Sequence, residues 1–323
     1  MKLIIQIPCF NEAESLPVTL AELPRKVEGC SSVEWLVIDD GSSDSTAAVA
    51  RSLGVDHVVR LPVNRGLATA FMTGLDTALA AGADIIVNTD ADNQYDARDI
   101  AALVLPILNG EAELVVGERP ISETDHFSWI KKRLQRIGSW AVRFASGTQV
   151  ADAPSGFRAM TRDVATRLNV FNSYTYTLET IIQAGRSNIR VTSVPIRTNP
   201  DMRPSRLVKG IANYVTRSMS TIVRIFATYK PLMFFWLISS LFMLIGLGAG
   251  ARYLVLRLLG QGEGHIQSVI LAAACVTIGL LIFVLGFLAD LLAVNRRLLE
   301  RIEWRLRRLE LGNRDRDVRE RKA

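Results

Sequence analysis

The sequence predicts an α/β protein with a doubly wound, mostly parallel sheet, followed by amphipathic helices and two membrane-spanning helices. Strand-like and helix-like segments alternate over roughly the first two hundred residues, which is typical of a parallel sheet covered by helices. Short Ile/Val-rich runs such as 85–88 indicate strands buried on both faces. Near the C-terminus, the runs 232–251 and 266–289 contain no charged residue, and each reaches the roughly 20 residues that cross a bilayer.

The predicted strands lie near residues 3–7, 34–38, 57–60, 85–88, 113–116, 156–160 and 189–195. Helices fill the gaps between them. The stretch 67–80 is an example, because Ala and Leu dominate it and Gly82 follows as a stop signal.

The composition divides the chain into an α/β domain, an amphipathic juxtamembrane helix, two spans, and a basic C-terminal helix with a charged tail. The predicted bounds are 1–204, 205–230, 231–256, 266–294 and 295–323. Basic residues precede the first span and follow the second, and the segment between the spans carries little charge. The positive-inside rule therefore predicts an integral protein of the inner membrane, with the α/β domain and both termini in the cytoplasm.

Charge and cysteine usage narrow the range of partners. The net charge is +6, and the basic residues cluster beside the spans rather than on a nucleic-acid recognition motif. Anionic membrane lipid is therefore the expected partner, and no nucleic acid is expected. Cys9, Cys30 and Cys275 are scattered and show neither metal-ligand spacing nor a disulfide framework.

The most informative motif follows the predicted strand at 85–88 and reads Asp90-Ala91-Asp92-Asn93-Gln94. Open α/β sheets bind ligands at the carboxyl ends of their strands. Two carboxylates one residue apart, with a carboxamide nearby, can present hard oxygens to Mg²⁺ or Mn²⁺ and leave positions for phosphate oxygens. The motif therefore indicates diphosphate chemistry. A solvated turn would explain the acidic pair equally well, so its weight depends on the surrounding motifs.

Two further predicted strand ends converge on the same edge of the sheet. The first strand ends in Pro8-Cys9-Phe10-Asn11-Glu12, and the second ends in Asp39-Asp40-Gly41-Ser42-Ser43-Asp44. Asp40 can accept a hydrogen bond from a base or ribose, and Ser42 or Ser43 can cap the next helix. A phosphate-cradling glycine-rich loop is absent from the sequence, which argues against a nucleotide hydrolase. No Gly-x-Gly-x-x-Gly follows the first strand, which disfavours a dinucleotide enzyme.

These motifs, with Gly117-Glu118-Arg119 and Ser155-Gly156-Phe157-Arg158, occur in the order seen in family-2 glycosyltransferases. More narrowly, the chain resembles the polyprenyl-phosphate glycosyltransferases typified by dolichyl-phosphate mannose synthase, which have a GT-A fold. The resemblance covers roughly residues 3–213, and the two spans match bacterial members that carry a membrane hairpin. It implies that 1–204 is a GT-A catalytic domain. The implied reaction is metal-dependent, inverting transfer of a sugar from a UDP- or GDP-linked donor to a polyprenyl phosphate, undecaprenyl or dolichyl.

The resemblance also implies roles for individual residues. The donor site comprises Pro8, Asn11, Glu12, Asp39, Asp40, Asp90 and Gln94. The Mg²⁺ or Mn²⁺ ligands are Asp90, Asp92 and Gln94. The catalytic residues are Asp92, Arg119 and Arg133, of which the two arginines handle phosphate. The acceptor site comprises Ser155, Arg158, Arg203 and Arg206.

One stretch departs from the family pattern. The family often shows Arg followed by Gly-x-Ser-Lys near the end of the catalytic domain, whereas residues 202–206 read Met-Arg-Pro-Ser-Arg. Arg206 replaces the Lys and the Gly is lost. Which of Arg203 and Arg206 contacts phosphate is left open by the sequence.

The implied chemistry is consistent with the residue types present. A lipid monophosphate is already ionised near neutral pH, because its second pKa is about 6, so no side-chain base is required. The reaction needs a metal to neutralise the departing nucleoside diphosphate and cationic groups that bring two anions together. His57, His126 and His265 lie outside the motifs, and we interpret them as structural or surface residues.

Three amphipathic segments predict how the acceptor is delivered from the bilayer. Residues 126–144 and 205–230 interleave apolar and basic side chains and are expected at the cytoplasmic headgroup layer, although a core helix with a solvated face would explain 126–144 as well. Residues 295–311 are expected to pack on the membrane or on a neighbouring protomer. Gly246, Gly248 and Gly250 would permit homo-oligomerisation through the spans.

Two other classes of protein remain open at this point. A processive polysaccharide synthase shares the nucleotide-sugar domain, but it normally needs more membrane helices and a Gln-x-x-Arg-Trp type of motif, which the sequence lacks. A non-catalytic, lipid-associated scaffold built on a decayed transferase domain is the second alternative. The intact Asp90, Asp92 and Gln94 set argues against decay.

Overall fold

The computed structural model of the chain describes residues 1–120, 129–170, 176–200, 211–260 and 266–320. The chain forms two compact units. The first comprises Met1–Ser218 together with Glu300–Ala323, and the second comprises Met219–Leu299.

The first unit is built on a seven-stranded sheet. Its strands are β1 Lys2–Cys9, β2 Ser32–Asp39, β3 His57–Arg60, β4 Ile85–Asn88, β5 Leu114–Glu118, β6 Arg158–Thr161 and β7 Val191–Pro195. Their spatial order is β3-β2-β1-β4-β6-β5-β7. All neighbouring pairs are parallel except those of β6, which runs antiparallel to β4 and β5. The predicted fold class is therefore confirmed, with one reversed strand inside the sheet.

Helices cover both faces of this sheet. The helices of the chain are α1 Leu16–Glu22, α2 Thr46–Ser52, α3 Leu67–Ala80, α4 Ile100–Leu108, α5 Trp129–Ser146, α6 Arg162–Arg167, α7 Thr177–Arg186, α8 Ile211–Tyr229, α9 Pro231–Leu258 and α10 Ile266–Glu320. The predicted helix at 67–80 has the same bounds as α3.

The alternation of side chains along the strands creates a separate core on each face of the sheet. Leu3, Ile5 and Ile7 of β1 point into one core, where residues of α1 and α4 cover them. Ile4 points into the other, beneath Phe71 of α3. Because both faces are buried, the strands read as nearly continuous apolar runs in the sequence.

The second unit comprises the last part of α8, α9 and the first part of α10, and α9 and α10 form a hairpin. Within the described residues, two helices are long and apolar enough to cross a membrane, Pro231–Leu258 and Ile266–Glu310. Small residues let the two helices approach closely: Ser239 Oγ donates to the carbonyl of Gly279 at 2.7 Å. A Cβ at Gly246 would lie 2.9 Å from the side chain of Val276. Gly246 thus packs against the other helix of the hairpin, and homo-oligomerisation through the glycines stays a prediction.

The predicted division at residue 294 falls inside a single helix. One uninterrupted helix, α10, runs from Ile266 to Glu320. The physical reason is visible in the sequence, since 287–311 contains neither Gly nor Pro and is rich in the helix formers Leu, Arg and Glu. The change from apolar to charged residues ends the apolar stretch without ending the helix.

The C-terminal segment of α10 contacts the α/β domain of its own chain, a contact the sequence did not indicate. Arg307 Nη1 donates to the carbonyl of Leu168 at 3.0 Å. Asn169 Nδ2 donates to the Glu303 carboxylate. The Arg167 guanidinium lies 5.2 Å from the centre of the Trp304 ring. This segment therefore belongs to the folded α/β unit.

We expect Arg307→Ala to destabilise the α/β unit measurably. The substitution removes the hydrogen bond to Leu168 and the weaker approach of Arg307 to Asp76, whose nearest atoms are 3.8 Å apart. A hydrogen bond from a charged donor contributes about 1.5–3 kcal/mol. The midpoint of thermal unfolding should then fall by about 3–12 °C, measured by differential scanning fluorimetry in detergent.

Arg305→Ala is the matched control, because Arg305 lies on the same helix with its side chain exposed. It should leave the midpoint within about 1 °C of the wild type, since exposed substitutions change stability little. Equal midpoints for the two variants would contradict the contact.

Candidate active site

The sheet register brings the predicted site residues to one edge. Cys9 and Asp39 lie opposite each other where β1 and β2 end, and Asn88 ends β4 beside the same edge. Because β6 runs antiparallel, its first residue, Arg158, pairs with the last residue of β4. The loops that follow β1, β2 and β4 and the residues directly after β5 therefore lie at the same edge as the loop that precedes β6.

The loops after β1 and β2 are joined by side-chain hydrogen bonds. The Asn11 backbone N–H donates to Ser42 Oγ at 2.9 Å, and the Ser43 backbone N–H donates to Asn11 Oδ1 at 2.9 Å. The Glu12 backbone N–H donates to Thr46 Oγ1 at 2.9 Å. Asn11 adopts a positive φ of 55°, which Asn tolerates better than most residues. Asn11 and Glu12, which are predicted to bind the nucleotide-sugar donor, thus lie on one surface that is held together by hydrogen bonds.

Asp39 is fully buried at the end of β2. Its Oδ1 accepts from the Ser42 backbone N–H at 2.8 Å. Its Oδ2 lies 3.3 Å from Arg60 Nε, without hydrogen-bond geometry, and has no hydrogen-bond partner among the described residues. Asp39 therefore holds the turn that follows β2, and Arg60 balances its charge from a half-exposed position.

Asp40 anchors the loop between β3 and α3. Its two carboxylate oxygens accept from the backbone N–H groups of Arg65 and Gly66, each at 2.8 Å. This loop also lies close to Gly41, the residue after Asp40. A Cβ at Gly41 would be 2.4 Å from the carbonyl carbon of Val63. Gly41 also has a positive φ of 68°. The structure thus shows Asp40 shaping this loop, and its contact with a nucleoside stays a prediction.

Asp90 and Asp92 form the acidic centre of the edge. Burial, and then the charge of Asp92, raise the pKa of Asp90 to about 7. Asp92 Oδ1 accepts from the Gln94 backbone N–H at 3.1 Å, which tightens the turn. Asn93 has a positive φ of 57°, and its carbonyl accepts from Asn199 Nδ2 at 3.0 Å. A cation would relieve the repulsion between the two negative charges, so the pair fits a divalent metal.

A buried network supports Asp90 from behind. A Cβ at Gly156 would lie 3.1 Å from both Asp90 carboxylate oxygens and 3.0 Å from the Tyr176 hydroxyl. Asn88 Nδ2 donates to that hydroxyl at 2.8 Å and to the Gly156 carbonyl at 2.9 Å. Gln6 Nε2 donates to Asn88 Oδ1 at 2.9 Å. The position of the Asp90 carboxylate is therefore limited by packing on Gly156.

Tyr95, in the loop that carries Asp90, belongs to the same hydrogen-bond network. The Gly156 backbone N–H donates to the Tyr95 hydroxyl at 3.0 Å. Burial, and then the nearby charge of Asp90, raise the pKa of Tyr95 to about 12. The Tyr95 ring stacks on Phe157, with the ring centres 5.0 Å apart. Tyr95 thus stays neutral and links the loop after β4 to the start of β6.

Arg119 leaves the end of β5 and forms a two-point ion pair with Asp152. Its Nε donates to Asp152 Oδ2 at 2.7 Å, and its Nη2 donates to Asp152 Oδ1 at 3.0 Å. Burial opposes the charge of Arg119, but the hydrogen bonds to Asp152 outweigh it and raise the pKa of the guanidinium above its usual value. The negative charge of Asp90 also contributes to this increase.

Arg158 is fully buried, and its partners belong to the protein itself. Its Nη1 donates to the carbonyl of Thr177 at 3.2 Å and to Thr180 Oγ1 at 2.5 Å, and its Nη2 donates to the Ser155 carbonyl. Burial lowers the pKa of the guanidinium from its usual value. The Tyr176 ring centre lies 5.3 Å away. A side chain with no exposed surface favours a structural role over direct contact with the acceptor phosphate, and the same holds for the fully buried Ser155.

Other predicted site residues receive less structural definition. Pro8 lies in buried strand β1. Gln94 is partly buried, and its carbonyl accepts from the Asn199 backbone N–H at 2.9 Å. Arg133 lies on α5, but its side chain is outside the described residues, as are Arg203 and Arg206 altogether.

Sequence reasoning missed several residues that build this site, namely Gln6, Asn88, Tyr95, Asp152 and Tyr176. A signal was present for Asn88, which is a polar residue at the end of an apolar strand. Asp152 carried no such signal, because it belongs to none of the motifs and its partner is 33 residues away.

Two named proteins are similar to this chain in sequence. The chain is 28% identical over 204 residues to the polyprenol monophosphomannose synthase of Mycolicibacterium smegmatis, which covers 60% of this chain and 76% of that protein. It is 29% identical over 222 residues to the undecaprenyl-phosphate mannosyltransferase of Micrococcus luteus, covering 65% and 89%.

A solved structure shares the fold. It is that of glucosyl-3-phosphoglycerate synthase from Mycobacterium tuberculosis in complex with Mn²⁺, uridine diphosphate and glucosyl-3-phosphoglycerate. The TM-score is 0.55 at 21% sequence identity, and the match covers 71% of this chain and 79% of the other. At this identity the likeness supports the GT-A fold alone.

The sequence profile of the family described as glycosyl transferase family 2 matches residues 4–168, which is just over half of the chain. The matched region contains the loops after β1, β2, β4 and β5, and therefore most of the edge described above. The resemblance noted from the motifs is thus confirmed, and the chain belongs to glycosyl transferase family 2.

Proposed function

We propose that this enzyme transfers a sugar from a nucleotide-sugar to a polyprenyl phosphate, with inversion at the sugar and with a divalent metal. The observation that carries the proposal is that the Asp90 and Asp92 carboxylates and the Arg119 guanidinium follow the ends of β4 and β5, which flank the first residue of β6 at one sheet edge. The two carboxylates can bind the diphosphate of the donor through a cation, and the guanidinium can bind an anionic acceptor. The names of the two mannosyl relatives support a polyprenyl phosphate as acceptor.

The residues present fit a divalent cation. Asp90 and Asp92, with Gln94, would hold Mg²⁺ or Mn²⁺, because carboxylate and amide oxygens are the ligands that these ions prefer. When bound, the ion neutralises charge that develops on the departing nucleoside diphosphate. Mn²⁺ in the structure of the glucosyl-3-phosphoglycerate synthase supports this assignment. Gly156 lies against the Asp90 carboxylate and limits where that carboxylate can move.

The donor's nucleoside would lie on the surface formed by the loops after β1 and β2. Asn11, Glu12 and the segment 39–44 are joined there by hydrogen bonds, so the surface is preorganised before the donor binds. We assign the nucleoside site to these residues, together with Pro8.

The acceptor supplies its own nucleophile. Its monophosphate is largely dianionic near neutral pH, since the second pKa of a phosphate monoester is about 6, so the protein needs no general base. Arg119, with Arg133 and one or both of Arg203 and Arg206, would attract this phosphate and orient it toward the sugar. Arg158 would act indirectly, by holding the Ser155 loop.

The location of the reaction follows from the two apolar helices. They suggest that the protein is anchored in a membrane. The basic residues before α9 and in the C-terminal part of α10 support a cytoplasmic position for the catalytic domain and both termini. A polyprenyl phosphate would then reach the site with its headgroup at the cytoplasmic surface.

The test is transfer of radiolabelled sugar from a panel of UDP- and GDP-sugars into undecaprenyl phosphate by detergent-solubilised protein. We expect one singly glycosylated lipid product with Mg²⁺ or Mn²⁺ and none with EDTA. Mannosyl donors come first in the panel because both relatives described above are mannosyl enzymes by name. A ladder of products carrying many sugars would instead support a processive synthase, and nucleotide binding without any product would contradict the proposed acceptor.

A further inference from the structure

Asp152 is a buried carboxylate that is not among the site residues predicted from the sequence. It lies in the loop between α5 and β6, and its side chain is 1% exposed. Burying a carboxylate is unfavourable unless hydrogen bonds and an opposite charge compensate for it. At the edge that carries the site, Arg119 supplies hydrogen bonds and an opposite charge of this kind.

Three donors of Arg119 converge on the Asp152 carboxylate. The Nε and Nη2 atoms donate to the two oxygens at 2.7 and 3.0 Å, and the Arg119 backbone N–H donates to Oδ2 at 3.3 Å. The carboxylate thus holds both the guanidinium and the peptide group of the same residue. This removes most of the rotational freedom of a long side chain before any substrate arrives.

The pairing determines which side of the guanidinium is used. A guanidinium has five N–H donors, and Asp152 occupies the edge formed by Nε and Nη2. The opposite end, formed by Nη1 and Nη2, keeps its remaining donors, and the Arg119 side chain is 20% exposed. A planar fork of this kind matches two oxygens of a phosphate.

The Asp152 loop is itself tied to the start of β6. The Ser155 backbone N–H donates to the carbonyl of Asp152 at 3.2 Å, and Ser155 adjoins Gly156, against which Asp90 packs. Through these contacts, Asp152 connects the Arg119 side chain to the loop against which Asp90 packs.

We infer that Asp152 is a positioning residue that holds Arg119 with its Nη1 and Nη2 donors directed at the phosphate of the lipid acceptor. The inference rests on the proposed function, since it assigns Arg119 to the acceptor phosphate. Asp152 acts through Arg119 and touches no substrate. No general base is assigned to it, because the acceptor phosphate is already ionised near neutral pH.

A double-mutant cycle with Asp152→Asn and Arg119→Gln tests this inference. Asparagine keeps the size of Asp152 but loses one acceptor oxygen and the charge. We expect Asp152→Asn to lower kcat/KM for undecaprenyl phosphate by about 10- to 100-fold, because misplacing a binding group by about 1 Å can have an effect of this size. The KM for the nucleotide-sugar should change less than about twofold.

The cycle separates positioning from a merely structural role. In the Arg119→Gln background, Asp152→Asn should have less than about a twofold further effect on kcat/KM, because its target is gone. Arg119→Lys should be as impaired as Arg119→Gln, since an ammonium cannot bind Asp152 by two points and a phosphate at the same time. Asp152→Glu, which can still form the pair, should recover part of the activity.

Several outcomes would overturn the inference. A full effect of Asp152→Asn in the Arg119→Gln background would show that Asp152 acts independently. An equal loss for donor and acceptor would place its effect elsewhere in the site, and wild-type kinetics in Asp152→Asn would remove its role. A wild type that is inactive toward polyprenyl phosphate refutes the proposed function as well, whereas an active wild type that is insensitive at Asp152 refutes this inference alone.

Discussion

Replacing Asp92 by alanine is expected to abolish sugar transfer while leaving the protein folded. Asp92 is partly buried on a loop, so little packing is lost, but one of two closely spaced carboxylates disappears. Losing a group that stabilises developing charge typically lowers kcat by about 10²–10³-fold. Asp92→Asn should be similarly inactive, although it keeps an oxygen that can accept from the Gln94 backbone N–H. The measurement is transfer of labelled sugar to undecaprenyl phosphate over a range of Mn²⁺ concentrations.

The comparison of the two Asp92 variants separates charge from loop structure. If asparagine restored activity, the role of Asp92 would lie in the turn and not in binding a cation. Glu14→Ala is the control, because Glu14 is an exposed carboxylate on the loop after β1. It should retain wild-type kinetics, and full activity of Asp92→Ala would refute the metal assignment.

Adding a single methyl group at Gly156 is expected to impair the enzyme nearly as much. The new Cβ would lie 3.1 Å from both Asp90 carboxylate oxygens and 3.0 Å from the Tyr176 hydroxyl, which is closer than van der Waals contact allows. The Asp90 loop must then shift by a few tenths of an ångström. We expect kcat/KM to fall about tenfold or more, since reacting groups tolerate little misplacement. The apparent affinity for Mn²⁺ should fall as well.

The control for this prediction is Gly248→Ala in α9. An added Cβ there meets no atom within 4 Å, so activity should be unchanged. Thermal unfolding of Gly156→Ala should be recorded alongside, to show that the protein stays folded. Unchanged kinetics and an unchanged Mn²⁺ dependence in Gly156→Ala would mean that Asp90 does not have to occupy the position the structure gives it.

Much of the fold could be predicted because its elements are encoded locally. The strand at 85–88 and the helix at 67–80 coincide with β4 and α3. Both are marked by short-range signals, namely an apolar run of strand length and a helix-forming composition that ends before a glycine. The position of the Asp90 cluster at a strand end followed from the same reading.

The reversed direction of β6 could not be read from its sequence. An apolar strand looks the same in either direction, and its orientation depends on how the chain enters the sheet between β4 and β5. This reversal places the start of β6, rather than its end, beside Asp90. It also buries Arg158, which the motif alone assigned to the acceptor.

The sequence by itself determined the α/β class, the family, the two apolar helices and the acidic and basic residues at one edge. These features are carried by local patterns and by short motifs in a characteristic order. Only the tertiary structure decided which side chains support them. The Arg119–Asp152 pair spans 33 residues, and the contact of Arg307 with Leu168 spans 139. Such partners are selected by geometry after the chain has folded, and no periodicity or spacing along the chain records them.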